Sequence, residues 1–332
     1  MTDVTTMKAA ILESHGAPFR VTDVAQPIAG PGEVLVRIAA SGVNPLDVKI
    51  SEGAAAHAKQ PLPAILGIDL AGTVESVGPG VTTFRKGDEV YGMTGGVGGH
   101  QGSLAEFTAV DARLLAPKPS NLSMREAAAL PLIFITAWEG LVDRAGVKAG
   151  QKVLVQGGAG GVGHVAIQIA KAFGAEVSAT ESEPKRALVE QLGARFVDYR
   201  SETVENYVQR LTTGKGFDLV YDTAGGATLD ASFKAIRRFG HVVSALGWGN
   251  HALAPLSFKA GTYSGVFTLL PLLTGEGREH HGEILREATK LIEAGKVMPI
   301  LDSRRFTLET VGDAHAAIRD RSAKGKLVVE IV

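Results

Sequence analysis

A short apolar run, Val153-Leu154-Val155, enters the cluster Gly157-Gly158-Ala159-Gly160-Gly161-Val162-Gly163, and a helical pattern leaves it with Val165, Ala166, Ile169, Ala170 and Phe173 on one face. The order is strand, tight turn, helix. Gly158, Gly160 and Gly163 satisfy the spacing G-x-G-x-x-G. That spacing has a mechanism: one glycine turns the chain, one admits a pyrophosphate close to the backbone, and one lets the helix pack on the strand. The helix N-terminus that follows adds unpaired N–H groups and a partial positive charge for the phosphates. Glycine turns have many uses, but this context, strand before and helix after, marks a dinucleotide site.

From this turn onward the chain alternates between strand and helix. Strands are expected over residues 176–180, 196–199, 217–223 and 241–246, with helices between them. One is capped by Ser182 and ends before Gly193, one is marked by Val204, Tyr207, Val208 and Leu211, and one is striped by Leu229, Phe233 and Ile236. Such alternation demands an α/β, doubly wound parallel sheet with helices on both faces. Ligands bind at the carboxyl ends of its strands, where the glycine turn, residues 180–182, Ala224 to Gly226 and Leu246-Gly247-Trp248 all fall.

The first third reads differently. Val34, Val36 and Ile38 alternate with Leu35, Arg37 and Ala39, and similar runs at 7–12, 70–77 and 89–91 are divided by turns such as Gly78-Pro79-Gly80. A compact β-rich domain is expected. Residues 92–103, GMTGGVGGHQGS, read as a flexible glycine loop at the mouth of the active site. Ser123-Met124-Arg125-Glu126 has capping-box spacing, and 133–142 reads as a further helix. Beyond 274, residues 275–282 read as a connection, with helices at 283–294 and 311–318 and short segments at 304–308 and 326–331. Three regions follow: 1–126, 127–274 and 275–332.

Charge and cysteine content narrow the function. Lys and Arg together number 34 against 35 Asp and Glu, so no global field draws nucleic acid or an anionic membrane. No run of about 18 apolar residues spans a bilayer and no targeting segment is visible, so a cytoplasmic protein with a small-molecule partner is expected. Cysteine is absent, which removes disulfides, thiol nucleophiles and thiolate zinc sites together.

Several segments resemble the medium-chain dehydrogenases/reductases, within them the zinc-free quinone oxidoreductase (zeta-crystallin-like) branch. They are Ser41-Gly42-Val43-Asn44-Pro45-Leu46-Asp47, Leu66-Gly67-Ile68-Asp69-Leu70-Ala71-Gly72, Ala129-Leu130-Pro131 through Thr136-Ala137-Trp138, the glycine turn, Asp198-Tyr199, Asp222 to Gly226, and Lys324-Gly325-Lys326. The resemblance implies a GroES-like β domain made from both ends of the chain, a Rossmann domain between them, and a homodimer or homotetramer. In the zinc members of the family, Cys, His and Cys bind the catalytic metal; the matching positions here are Asn44, Ile68 and Leu132, and the structural-zinc lobe is replaced by the glycine loop. No metal is therefore expected. Without a Lewis acid to stabilise an alkoxide, acceptors that delocalise the arriving charge are favoured, namely quinones and the conjugated double bonds of enals and enones.

The same resemblance suggests roles for individual residues. Asn44 is expected at the reacting end, its amide donating to the acceptor oxygen, with an Asn-Pro turn as the competing reading. Asp47 is expected to orient the ribose or Lys49. Several quinone reductases have tyrosine at the position of Lys49, so a preference for aromatic quinones is not implied. Thr136 resembles a threonine that sits against the nicotinamide ribose; the alternative is a hydroxyl bonded within its helix. Leu246 and Gly247 are expected along the nicotinamide. Lys171 and Tyr199 are assigned to the 2′-phosphate of NADPH, with Ser182 and Lys185 nearby. Glu181 opposes this, being an acid at the end of the second strand that suits ribose hydroxyls, so NADH is not excluded. His280-His281 reads as a solvated pair. The expected activity is zinc-independent, NAD(P)H-dependent hydride transfer to a quinone or conjugated carbonyl. The alternatives are an enal/enone double-bond reductase and a cofactor-binding protein with little turnover.

Overall fold

The computed structural model describes residues 5–331, and the chain divides into two compact units. The first joins Met1–Leu132 to Leu269–Ala294 and Pro299–Val332, and the second is Ile133–Thr268 with Gly295–Met298. In chain order the first stretch gives β1 (Thr6–Leu12), β2 (Arg20–Ala25), β3 (Glu33–Val43), α1 (Pro45–Ser51), β4 (Ala64–Ile65), β5 (Asp69–Val77), β6 (Glu89–Met93), β7 (Phe107–Asp111), β8 (Leu115–Pro117), α2 (Met124–Ala128) and α3 (Pro131–Trp138). The division of the chain falls inside α3.

The second unit contains β9 (Lys152–Gln156), α4 (Gly161–Ala172), β10 (Glu176–Glu181), α5 (Arg186–Gln191), β11 (Arg195–Asp198), α6 (Val204–Thr212), β12 (Phe217–Asp222), α7 (Ala227–Ala235), β13 (Ile236–Ser244), α8 (Ala254–Ser257) and β14 (Thr262–Gly265). Its sheet runs β11-β10-β9-β12-β13-β14, with every pair parallel. Counted within the unit this is 3-2-1-4-5-6, the doubly wound order, whose switch point lies between β9 and β12. Leu154, Val220 and Val242 pack on one face against Tyr207, Leu229, Phe233 and Leu256 from the helices. The sheet has a strand that the sequence did not suggest. β14, Thr-Tyr-Ser-Gly, is mostly exposed and lacks the apolar run of a central strand, because it lies at an edge.

The first unit is completed by α9 (Leu270–Thr274), α10 (Arg278–Glu293), α11 (Val311–Arg319) and β15 (Leu327–Glu330). Its larger sheet is ordered β15-β3-β5-β6-β8 and is antiparallel. β3, eleven residues long, is shared along one edge: Glu33 to Arg37 pair with β7, and Ala40 to Val43 pair with β15. Register then decides what meets at its end. Gly42 faces Asp69 on β5 while Val43 faces Leu327 on β15, so Asn44, Asp69 and Lys326 are brought side by side from three distant stretches.

Three local expectations need correction. Residues 92–103 are not a flexible loop: Thr94 to Val97 and Gly102-Ser103 are buried. Their glycines serve close packing, since a Cβ on Gly96 would sit 2.8 Å from the Gly67 carbonyl oxygen. α10 begins at Arg278, five residues before the expected start, and takes Gly282 and a buried His281 into the helix. A Cβ on Gly282 would strike the Arg113 carbonyl, so that glycine marks an approach of helix to backbone and not a break. Residues 133–142 begin in α3 but continue as a π-helical turn, Glu139–Arg144. There a Cβ on Gly140 would lie 2.6 Å from the Tyr221 ring, and the Tyr221 hydroxyl donates to the Thr136 carbonyl at 2.6 Å. The Tyr221 ring and its bond to the Thr136 carbonyl thus lie where the helix passes into the wider turn.

Candidate functional site

The glycine turn follows β9 and lies beside the loop that follows β12, at the switch point of the second unit's sheet. Gly157 makes the turn, with φ 77°. Gly158 and Gly163 are packing positions: a Cβ on Gly158 would lie 2.6 Å from that of Ala179 on β10, and one on Gly163 would overlap the Gly157 carbonyl oxygen. Gly160, the N-cap of α4, is different. Its nearest neighbour would be that same oxygen at 3.2 Å, leaving the outer side of the turn open. The N–H groups of Gly161, Val162 and Gly163 open the twelve-residue α4 on this side. His164 is 2% exposed and its Nδ1 meets the Gly160 carbonyl at 3.0 Å, so it braces the turn.

Around the end of β10 the charged residues sort themselves. Glu181 and Asp198 are register partners, so Ser182 and Tyr199 follow side by side. Glu181 is turned inward: its Oε1 accepts from the Ser182 N–H at 2.9 Å, and its Oε2 lies 3.5 Å from Lys185 Nζ. Tyr199 is exposed and accepts from Arg200 Nε at 3.3 Å. Ser182, Lys185, Tyr199 and Arg200 thus share one rim, and Glu181 is committed to two of them. Lys171 does not join this group. It stands ten residues into α4, about 15 Å along the axis from the turn, and its Nζ donates to the carbonyl of Gly193, before β11 begins. That is the opposite end of β11 from Tyr199, and helical periodicity alone does not reveal it. Arg200 was missed because nothing in the sequence separates it from a solvated charge.

The other end of the crevice is shaped by Asp222. Its carboxylate accepts from Ser244 Oγ at 2.7 Å, Gly225 N at 3.0 Å and Ala224 N at 3.2 Å, and Ser244 Oγ in turn accepts from Leu246 N at 3.0 Å. One buried acid therefore sets both the Ala224 and the Leu246-Gly247 loops. Burial pushes its pKa up, while Ser244 and the two N–H donors hold it down. Thr136, 7% exposed, is not simply a hydroxyl inside its helix. Thr268 Oγ1 donates to Glu139 Oε2 at 2.9 Å, and so accepts from Thr136 Oγ1 at 3.1 Å.

In the first unit, Asn44 and Asp47 occupy a closed polar cluster. Asn44 Nδ2 donates to Asp69 Oδ2 at 3.0 Å, and its Oδ1 accepts from Lys326 Nζ, which also donates to the Val43 carbonyl at 2.9 Å. Asp69 Oδ1 accepts the Leu132 N–H at 2.9 Å, and Asp47 Oδ2 accepts the Asn44 N–H at 2.8 Å. Asn44 and Asp69 are fully buried, Asp47 is 1% and Lys326 6% exposed. Burial pushes Asp47 up to about 7, with the charge of Asp69 adding to it, and Asp69 up to about 6. Asn44 has no exposed amide with which to meet a substrate. Its amide is engaged with Asp69 and Lys326, and the Asp47 carboxylate with the Asn44 N–H, all within the first unit.

Set beside known proteins, residues 30–120 match the alcohol dehydrogenase GroES-like domain family. Residues 192–329 match the zinc-binding dehydrogenase family, and residues 140–224 the alanine dehydrogenase/PNT C-terminal domain family. The chain is 38% identical over 316 residues to the 2-methylene-furan-3-one reductase of Solanum lycopersicum, covering 93% of this chain and 74% of that one. It belongs to the medium-chain dehydrogenase/reductase superfamily. The NADPH-dependent alkenal/one oxidoreductase of Arabidopsis thaliana is 37% identical over 334 residues, 97% of this chain and 79% of that one. The crystal structure of an alcohol dehydrogenase superfamily protein from Novosphingobium aromaticivorans is similar with TM-score 0.97 and 59% identity, covering 98% of this chain and 100% of that one.

As a medium-chain dehydrogenase/reductase the chain is an oxidoreductase, and its residues can be tested against the two groups such enzymes use. A nicotinamide dinucleotide fits: the open side of Gly160 and the α4 N-terminus form a cradle that a Cβ would begin to fill. Zinc does not fit. Ile68 and Leu132 have hydrocarbon side chains, and both polar atoms of the Asn44 amide are used by Lys326 and Asp69. Among the described residues no group of three His, Asp or Glu side chains is placed to hold a metal.

Proposed function

We propose that this chain is a metal-independent, NADPH-dependent reductase of conjugated carbonyls, enals and enones first and quinones second. The observation that carries the reading is the donor set at Asn44, Ile68 and Leu132, which offers no Lewis acid for an alkoxide. Acceptors whose charge spreads over a conjugated system need that help least. The names of the Solanum and Arabidopsis relatives point the same way.

In this reading the backbone of Gly160 to Gly163 holds the pyrophosphate, and Ser182, Lys185, Tyr199 and Arg200 hold the 2′-phosphate. Glu181 counts against NADPH less than its position suggests, because its carboxylate is turned onto Ser182 and Lys185. The Ala224 and Leu246-Gly247 loops, fixed by Asp222, line the nicotinamide end, and the Thr136 hydroxyl orients the ribose there. The cofactor, when bound, supplies the hydride. We further propose a homodimer formed through the open edge of β14, beside which Phe258 is 87% and Phe239 75% exposed.

The test is kcat/KM with enals, enones and quinones, each with NADPH and NADH. NADPH is expected to win by about tenfold or more, since a phosphate held by a charged rim contributes roughly 1.5–3 kcal/mol. Lys185→Ala should remove most of that preference, and Lys171→Ala should leave it within twofold. A preference for NADH in the unaltered protein, or its loss with Lys171→Ala alone, refutes the phosphate assignment. Tight NADPH binding without turnover on any acceptor refutes the enzyme reading in favour of a binding protein.

A further inference from the structure

In a zinc dehydrogenase one metal bound to side chains at the three matched positions necessarily ties together the end of β3, the start of β5 and the start of α3. Here the same three stretches are joined without a metal. The Leu132 N–H is held by Asp69 Oδ1, Asp69 Oδ2 holds Asn44 Nδ2, and Asn44 Oδ1 holds the ammonium of Lys326. The ammonium also holds the Val43 carbonyl.

We propose that the Lys326 ammonium is a tethered cation that takes the metal's bracing place, with Lys326 acting as the positioning residue for the Asn44 and Asp69 stretches of the first unit. Three observations support this. An ammonium only donates and a carboxylate only accepts, so the Asn44 amide between them has one allowed orientation. The two charges are thereby coupled through an amide instead of by direct contact. The cluster is also closed to water: Asn44 and Asp69 are fully buried, and Lys326 reaches them at 6% exposure from a position 282 residues away in the chain. Solvent does not screen such a pairing as it does at the surface. Asp47 adds a second buried carboxylate on the Asn44 N–H, with an Oδ1 that has no hydrogen-bond partner, and the charge of Lys326 acts on both acids. The inference rests on the reading that the matched positions hold no metal.

The experiment uses the full-length protein without added cofactor. Lys326→Ala removes the ammonium and leaves room for a small one. Its melting temperature is expected to fall by about 10 °C, the range for losing one partner of a buried ion pair in a chain of this size. Methylammonium chloride at 100–200 mM, about ten times a dissociation constant on the order of 10–20 mM and so worth about 1.4 kcal/mol, should restore at least a third of the loss. Tetramethylammonium chloride at equal ionic strength, too large for the space, should restore none. Should Lys326→Ala not fold, Lys326→Arg and Lys326→Met decide the matter. The proposal expects Lys326→Arg to show less than half of that fall of about 10 °C and Lys326→Met to show all of it. A melting temperature within 2 °C of the unaltered protein for Lys326→Ala overturns the proposal, as does equal recovery with both ammonium salts or equal behaviour of the Arg and Met variants. Elemental analysis of the purified protein separates the two readings. Stoichiometric zinc would remove the premise, whereas a metal-free protein without ammonium rescue would fail the role of Lys326 alone.

Discussion

Asp47→Asn should change how stability depends on pH, in a direction opposite to the usual behaviour of a carboxylate. The Asp47 Oδ2 atom accepts the Asn44 N–H, while Oδ1 is buried without a partner, and burial, reinforced by the charge of Asp69, pushes the pKa from 3.8 up to about 7. A raised acid pKa means that the folded chain binds the proton more tightly than the unfolded one. Stability from this group is therefore full at low pH and is lost as pH climbs through about 4 to about 7, with no further change above. The interval of about three pH units at 1.36 kcal/mol each sets a ceiling of about 4 kcal/mol. Asp69, also raised, shares the uptake, so a change of about 2 kcal/mol is expected from Asp47. Asparagine keeps the acceptor for the Asn44 N–H but does not titrate. Urea unfolding of both proteins at pH 5, 6, 7 and 8 isolates the effect as a difference. His315, whose burial pushes it down to about 4 and gives a slope of the opposite sign, is common to both and cancels. The variant is expected less stable than the parent at pH 5, because its amide N–H₂ occupies the unpartnered position, and to gain about 2 kcal/mol relative to the parent by pH 8. A difference constant within about 0.5 kcal/mol, or one that moves the other way, refutes the reasoning.

Two further outcomes follow from close contacts in the second unit. Gly163→Ala places a methyl against the Gly157 carbonyl oxygen, both atoms being backbone or bound to it, so the turn must open; NADPH affinity by fluorescence titration should fall about 100-fold or more, and a fall below threefold would contradict the packing role. Tyr221→Phe removes the donor to the Thr136 carbonyl in a fully buried place, and should lower stability in urea by about 1–2 kcal/mol, with no change taken as evidence against that bond in solution.

Much of the second unit was legible in the sequence because its signals are local. Strand, glycine turn and helix are contiguous, and the alternation that follows implies a parallel sheet before any contact is known. β14 escaped notice because an edge strand has no need of an apolar run. Lys171 shows a related limit: periodicity assigns a residue to its helix, but which end of β11 its side chain reaches depends on the rise per residue and on where the next loop returns. In the first unit the difficulty was one of distance. Asn44, Asp69 and Lys326 all lie in segments singled out by resemblance, yet only the register of β3 against β5 and β15 brings them together. Glycine misled in both directions. At 92–103 it suggested mobility where the chain is packed, and at Gly282 it suggested a break where a helix passes close to backbone.

The two-part make-up of the first unit also bears on the order of assembly. The second unit is built almost entirely from one continuous stretch, Ile133–Thr268, and can close while the rest of the chain is still being made. The first unit has no such freedom. The edge of β3 next to Asn44 has no strand to pair with until β15 is synthesised, and Lys326 is delivered with that same strand. Until then Asp69 and Asp47 have no cation. The earliest-made part of the protein is thus the last to be completed.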